Sequence, residues 1–194
     1  MHFRQKMAAA ACGLLAWSSV LAADLEEVTV DRVDGRYVLE SQAMFDTTVE
    51  ELYSVLVDYD QFEKFTSAFT ESRNEAPDEK GRPQFYNAME GCVLFFCVTF
   101  ERYGHLELRP KSRIEAIVDP ERSDFKYSVE SWDITRVDGR TEMIYRFEME
   151  PDFWVPPVIG PYYIRRALRD GAVRAVNRIE AVALGLEPEP VGGE

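Results

Sequence analysis

Apolar positions change their spacing along the chain, and each change marks a new kind of element. Residues 28–33 and 36–45, rich in apolar and β-branched positions, read as two extended segments around the turn Asp34-Gly35. Thr47-Thr48-Val49-Glu50 then has the form of a capping box, in which the Thr47 hydroxyl and the Glu50 carboxylate satisfy reciprocal orphan amides. Val49, Leu52, Tyr53 and Leu56 follow at helical spacing, and a second short helical piece over 59–65 follows Asp58. From 68 to 150 the pattern is strand-like, interrupted by turn residues at 77–81, 109–111, 119–121 and 138–139. Connections this short predict six strands that pair in sequence as an antiparallel meander. Pro161 suits a first helical turn. Beyond it Ile164, Leu168, Ala172, Ala175, Ile179, Val182 and Leu186 keep one helical stripe.

That order of elements admits few packings. A curved antiparallel sheet has to cover its apolar face, and the last helix is the one element long enough to lie along it. The predicted fold class is α+β: a helix-grip fold, a curved antiparallel sheet wrapped around a long C-terminal helix, with two short helices after the first strand. Together with that order, the segment Val55-Leu56-Val57-Asp58-Tyr59-Asp60 followed by Phe62 and Phe65, and a proline-rich link into an amphipathic terminal helix, resemble the START-like (SRPBCC) superfamily. The nearest resemblance is to its polyketide cyclase/dehydrase and coenzyme Q-binding branch, over roughly residues 36–186. The resemblance implies a cavity between sheet and helix for a lipid or other hydrophobic small molecule, in a family that ranges from carriers to cyclases.

The first residues alter the expected compartment. Arg4 and Lys6 precede an apolar run from Met7 to Leu21, and Val20-Leu21-Ala22 ends in small residues before an acidic start. This is the pattern of a secretory signal peptide cleaved near Ala22; the run is shorter than the ~20 residues of a spanning helix. The expected organisation is a signal peptide at 1–22, a domain at 23–186 and a disordered tail at 187–194. The product would be periplasmic or secreted. A formal charge of −13, more negative once Arg4 and Lys6 are removed, argues against nucleic acid as a partner.

An exported chain gives "GCVLFFCVTF", residues 91–100, a specific meaning. One continuous strand would put Cys92 and Cys97 on opposite faces, about 16 Å apart. A hairpin with its tip at Val93-Leu94-Phe95-Phe96 instead places Cys92 opposite Cys97, and the same register makes Phe85, Asn87 and Met89 inner residues together with Phe100, Arg102 and Gly104. A disulfide is favoured in an oxidising compartment, while the lack of Gly, Asn or Pro in the tip favours free thiols.

In that register Asn87 faces Arg102, and the pair would hold a polar ligand head group by charge-assisted hydrogen bonds; the alternative is an Arg102 neutralised by a carboxylate such as Asp133 or Glu148. Gly104 suggests room in the wall, or a bulge. Met143, Tyr145 and Phe147, with Ala172 and Ala175 on the final helix, complete the candidate lining, against a simple packed core. Phe95, Phe96, Trp154 and Val155 are candidate membrane-contact residues at one end of the domain, against mutual burial of the two apolar loops. After cleavage His105 is the one remaining histidine, so a histidine-rich metal site is excluded, and no nucleophile elbow, phosphate loop or dinucleotide fingerprint occurs. No catalytic residue and no cofactor is expected. The reading is a non-catalytic binder or carrier, with a cavity cyclase or hydrolase and an envelope interaction module as alternatives.

Overall fold

The computed structural model describes residues 23–93 and 96–188. The expected signal peptide, positions 94 and 95 with Phe95, and residues 189–194 of the expected tail lie outside the described residues, as does the side chain of Phe96.

The chain runs β1 (Asp24–Val33), β2 (Arg36–Phe45), α1 (Val49–Leu56), a 3-10 segment (Tyr59–Lys64), β3 (Phe69–Glu75), β4 (Gln84–Val93), β5 (Phe96–Arg109), β6 (Arg113–Val118), β7 (Phe125–Val137), β8 (Arg140–Pro151) and α2 (Gly160–Ala183). One 8-stranded sheet has the order β1-β2-β8-β7-β6-β5-β4-β3. The six expected meander strands are β3 to β8. The hairpin β1–β2 adds to the free edge of β8, so two strands, not one, precede the short helices. The sheet curves around α2, as the helix-grip pattern requires.

Local chemistry sets the corners. Asp34-Gly35 and Asp138-Gly139 both have positive φ at their two residues, the geometry of tight hairpin turns. The capping box is shifted by one residue from the expected pair. Thr48 accepts from the Glu51 amide and Glu51 returns to the Thr48 amide at 2.8 Å. Thr47 is buried instead, and its carbonyl accepts from the Thr141 hydroxyl at 2.6 Å. α2 stops at Ala183, followed by Gly185 at φ +71. Leu186 therefore lies past the helix and is exposed, where the stripe had placed it on the buried face.

Two apolar groups pack between sheet and helices. The first joins Leu52, Leu56, Tyr59, Phe62 and Phe65 to Phe85, Ile114, Trp132, Ile134, Val176 and Ile179. The second joins Val30, Tyr37 and Leu39 to Phe125, Phe147 and Met149, with Ile164 and Leu168 of α2 against it.

Candidate ligand-binding cavity

The β4–β5 ladder fixes one wall. Cys92 pairs with Cys97, Asn87 with Arg102 and Phe85 with Gly104, the register that the strand parity predicts. Cys92 and Cys97 are joined by a disulfide. Among the described residues the one carboxylate and thiol grouping close enough for a metal is Glu90 with these two cysteines, whose sulfurs are committed to each other.

The inner face of this wall carries a buried ion pair. Arg102 is 1 % exposed, and its Nη1 donates to Glu130 Oε1 at 2.5 Å. Neither carboxylate proposed from the sequence takes this role. Asp133 pairs with Arg113 and Glu148 with Arg36, because both point to the opposite face of the sheet from Glu130. Burial is the largest influence and opposes the charge on Arg102, but Glu130 together with Tyr59 and Tyr145 more than offsets it, and the guanidinium titrates above its ordinary value. Tyr59 and Tyr145 complete the group. Burial, followed by the proximity of Glu130, pushes both phenols well above the ordinary tyrosine value, against the opposing effect of Arg102. Both are neutral hydroxyls at physiological pH.

Several of these polar atoms lack a protein partner: Arg102 Nε and Nη2, both side-chain atoms of Asn87, and the Tyr59 hydroxyl. Buried polar atoms are normally hydrogen-bonded. Arg102 and Glu130 open onto a cavity of about 160 Å³. Its other lining residues include Leu39, Phe62, Phe65, Phe69, Trp132 and, from α2, Ala167, Leu168, Gly171, Ala172, Ala175 and Val176. A Cβ added at Gly171 would meet nothing within 4 Å, so the small stripe of α2 borders space.

Of the candidate residues, the cavity wall includes Met89, Arg102, Met143, Tyr145, Phe147, Ala172 and Ala175. Three others lie beside it. Phe85 is fully buried and stacks on Tyr59 with centroids 4.4 Å apart. Its ring fills the place that Gly104 seemed to leave open: a Cβ on Gly104 would come within 2.7 Å of Phe85 and 2.3 Å of the Ile117 carbonyl oxygen. Asn87 is fully buried next to Arg102. Phe100 stacks on Phe153 at 4.1 Å, so the segment after β8 closes over the start of β5 at that end of the sheet. Trp154 is 80 % exposed. Val155 is half-buried and packs on Gly160, where its Cγ1 takes the space of a side chain.

His105 faces the outer side of the sheet and is half-buried. Its Nε2 lies 2.6 Å from Arg82 Nη1 and 3.8 Å from Glu107. Burial, then Arg82, lowers its pKa. Sequence reasoning missed Glu130 and Trp132 on β7, Leu39 on β2, Phe62, Phe65 and Phe69, and the small residue Ala167; the small stripe Gly171, Ala172 and Ala175 was expected to border a void and does.

With this geometry in place, solved structures provide the comparison. A START superfamily protein from Mycobacterium smegmatis superposes with a TM-score of 0.60 at 13% identity, covering 76% of this chain and 97% of that one. The Zhui aromatase/cyclase from Streptomyces sp. R1128 gives 0.55 at 12% identity, covering 77% and 94%. The fold is START-like. A di-domain aromatase/cyclase from the steffimycin biosynthetic pathway gives 0.58 at 14% identity, and the match covers 78% of this chain and 52% of that chain. No protein-family model and no curated sequence matches the chain.

Proposed function

We propose that this protein is an exported, non-catalytic binder or carrier of a hydrophobic small molecule or lipid, held between the sheet and α2. The observation that carries the reading is the cavity itself: small residues of α2 stand over apolar and aromatic walls into which one buried ion pair projects. A packed core of these residues would leave no such space. An apolar pocket with a few placed polar groups is the common form of a small-molecule site. The START-like fold, shared with aromatase/cyclases, supports the same reading.

Export is the second part of the proposal. It is supported by the cationic and apolar start of the sequence and by the disulfide, a bond that persists in oxidising compartments. Peripheral membrane contact is the third part. The residues proposed to face lipid are Phe95, Phe96, Trp154 and Val155. Trp154 is followed by Val158, Ile159 and Tyr162, all exposed, and then by exposed Arg165 and Arg169. Exposed aromatic and aliphatic groups beside cations suit an anionic bilayer interface. Among the described residues no helix is long and apolar enough to cross a membrane.

A second reading, a cyclase or hydrolase, is favoured by one observation: the Tyr145 hydroxyl, kept protonated, stands by Arg102 and Glu130 in the cavity wall and could donate a hydrogen bond to a developing oxyanion. Native mass spectrometry of protein purified from the periplasm separates the readings. A bound hydrophobic molecule released unchanged supports the carrier. Turnover of a supplied polyketide or ester supports the enzyme, and an interior that binds nothing overturns both.

A further inference from the structure

Glu180 is a buried carboxylate without a cation of its own. It is 2 % exposed on α2, and its Oε1 accepts from the Asp46 amide at 2.7 Å. Among the described residues no side chain forms an ion pair with it. Arg140 of β8 is the cation of the surrounding cluster, but its nitrogens are committed elsewhere: Nε to Asp46 Oδ1 and Nη1 to Asp24 Oδ2, each at 2.7 Å, and Nη2 to the Met44 carbonyl at 3.2 Å. Asp24 of β1, Asp46 after β2 and Glu180 of α2 thus set three carboxylates against one arginine. Buried charges are ordinarily paired, and this cluster lacks a partner for Glu180.

The chain supplies one where the expected signal peptide ends. In the β1–β2 ladder Asp24 lies opposite Met44, so Ala23 continues the register to the level of Phe45, and its nitrogen to that of Asp46, whose amide Glu180 accepts. Ala23 is 8 % exposed and packs in the same apolar group as Phe45 and Ile179, the neighbour of Glu180 on α2. In the full-length chain that nitrogen is an uncharged amide. Burial then keeps the Glu180 pKa above its ordinary value, against the opposing effects of the Asp46 and Ala23 backbone. Cleavage after Val20-Leu21-Ala22 turns the same nitrogen into a primary amine, whose ordinary pKa of about 8 makes it a cation at neutral pH. The place where the leader is removed and the place of the missing cation coincide.

We propose that signal-peptide removal completes the fold: the new α-ammonium group of Ala23 pairs with the Glu180 carboxylate and ties β1 to the C-terminal half of α2. This rests on the export reading, with cleavage after Ala22. Before cleavage Glu180 holds the Asp46 amide without an ionic partner, so the full-length chain grips α2 more loosely than the processed one.

Protein purified from the periplasm tests this in two steps. Intact mass and N-terminal sequencing should give a chain that starts at Ala23. A chain that keeps residues 1–22 overturns the export reading and the proposal together, whereas a cleaved chain that starts at another residue leaves export standing and overturns the pairing. In the processed chain the α-amine is then titrated by NMR after isotopic labelling of alanine, in the natural sequence and in Glu180→Gln, which keeps an oxygen acceptor for the Asp46 amide. Pairing should raise the amine pKa by about 1–3 pH units, the effect of an opposite charge within ~4–6 Å, and Glu180→Gln should remove that rise. A buried amine with no carboxylate partner would move the other way. Selective acetylation of the α-amine in the unfolded chain, followed by refolding, restores the uncharged nitrogen of the full-length protein. It should lower the denaturation midpoint of the processed natural sequence and leave that of processed Glu180→Gln nearly unchanged. An amine that titrates alike in both sequences, or acetylation that shifts both midpoints equally, overturns the proposal and leaves the export reading intact.

Discussion

In the C-terminal half of α2, Val176, Ile179 and Glu180 are buried, whereas from Pro161 to Ala175 no residue of the helix is. Val176 and Ile179 pack with Leu52 and Leu56 of α1 and with Ala43 and Phe45 of β2. Glu180 fastens this half further, since its Oε1 accepts from the Asp46 amide at 2.7 Å. The other half starts at Gly160 with no side-chain cap and passes over the cavity on small residues. One end of the gripping helix is thus set by core contacts and a carboxylate clamp, and the other by what lies under it. The N-terminal half still packs Ile164 and Leu168 against the second apolar group, so a ligand beneath it meets the gap left by the small residues between those contacts.

The largest expected effect breaks the clamped half. In the full-length chain Glu180→Leu leaves the Asp46 amide without its acceptor, and a buried donor left unpaired costs about 1–3 kcal/mol. Denaturant unfolding should show a drop of that size. Glu180→Gln retains an oxygen acceptor and should stay much closer to the unaltered protein. Equal losses in the two variants would show that the clamp works by charge and not by accepting this hydrogen.

A smaller change fills the open half. Gly171 is helical, and an added side chain meets no atom at its Cβ. Replacing glycine by leucine in a helix interior is worth up to about 1 kcal/mol of stability. Gly171→Leu should therefore raise the melting temperature while abolishing uptake of a hydrophobic probe. Loss of stability would mean that the space is needed for packing, and retained uptake would move the ligand elsewhere.

How far this contrast was legible depends on the strand. β4 and β5 each have one apolar and one polar alternating set, so a single register satisfied both and placed Cys92, Asn87 and Phe85 opposite their partners. β7 gave no such signal. Its inner set is Ser128, Glu130, Trp132 and Ile134 and its outer set Tyr127, Val129, Ser131 and Asp133, equally mixed, so Glu130 could not be assigned to the interior. The helix cap failed for a similar reason. Thr47-Thr48-Val49-Glu50-Glu51 contains two overlapping boxes of the same spacing, and burial of Thr47 against β8 decides between them. The cavity depends on where α2 stands relative to the sheet, which no local pattern encodes.

The pH dependence sharpens the clamp with a smaller effect. Burial raises the Glu180 pKa above its ordinary value, against the opposing hydrogen bond from the Asp46 amide. The folded state therefore holds this proton more tightly than the unfolded chain. Its contribution to stability is present in full below the unfolded value and is lost as pH rises through the folded one. The stability of the unaltered protein relative to Glu180→Gln should accordingly fall as pH rises from the ordinary glutamate value through the raised one. A difference independent of pH would show that Glu180 titrates alike in both states.

The smallest effect on folding, and the most informative for the open half, comes from the segment that feeds it. Phe153 and Trp154 are adjacent, yet Phe153 stacks on Phe100 while Trp154 is 80 % exposed. An indole that buries little surface contributes little to stability, so Trp154→Ser should change unfolding by no more than about 0.5 kcal/mol. Phe153→Ser should cost several times more, because it uncovers Phe100 and Phe125, whose rings it contacts. If the N-terminal end of α2 rests on lipid, Trp154→Ser should weaken sedimentation with vesicles containing anionic lipid, and raising the salt should weaken it further by screening Arg165 and Arg169. Ligand exchange with those vesicles should slow in step, because the residues that touch the bilayer are on the same half of the helix that stands over the cavity. Unchanged vesicle binding with slowed exchange would separate the two, placing Trp154 at the path of the ligand and the membrane contact elsewhere.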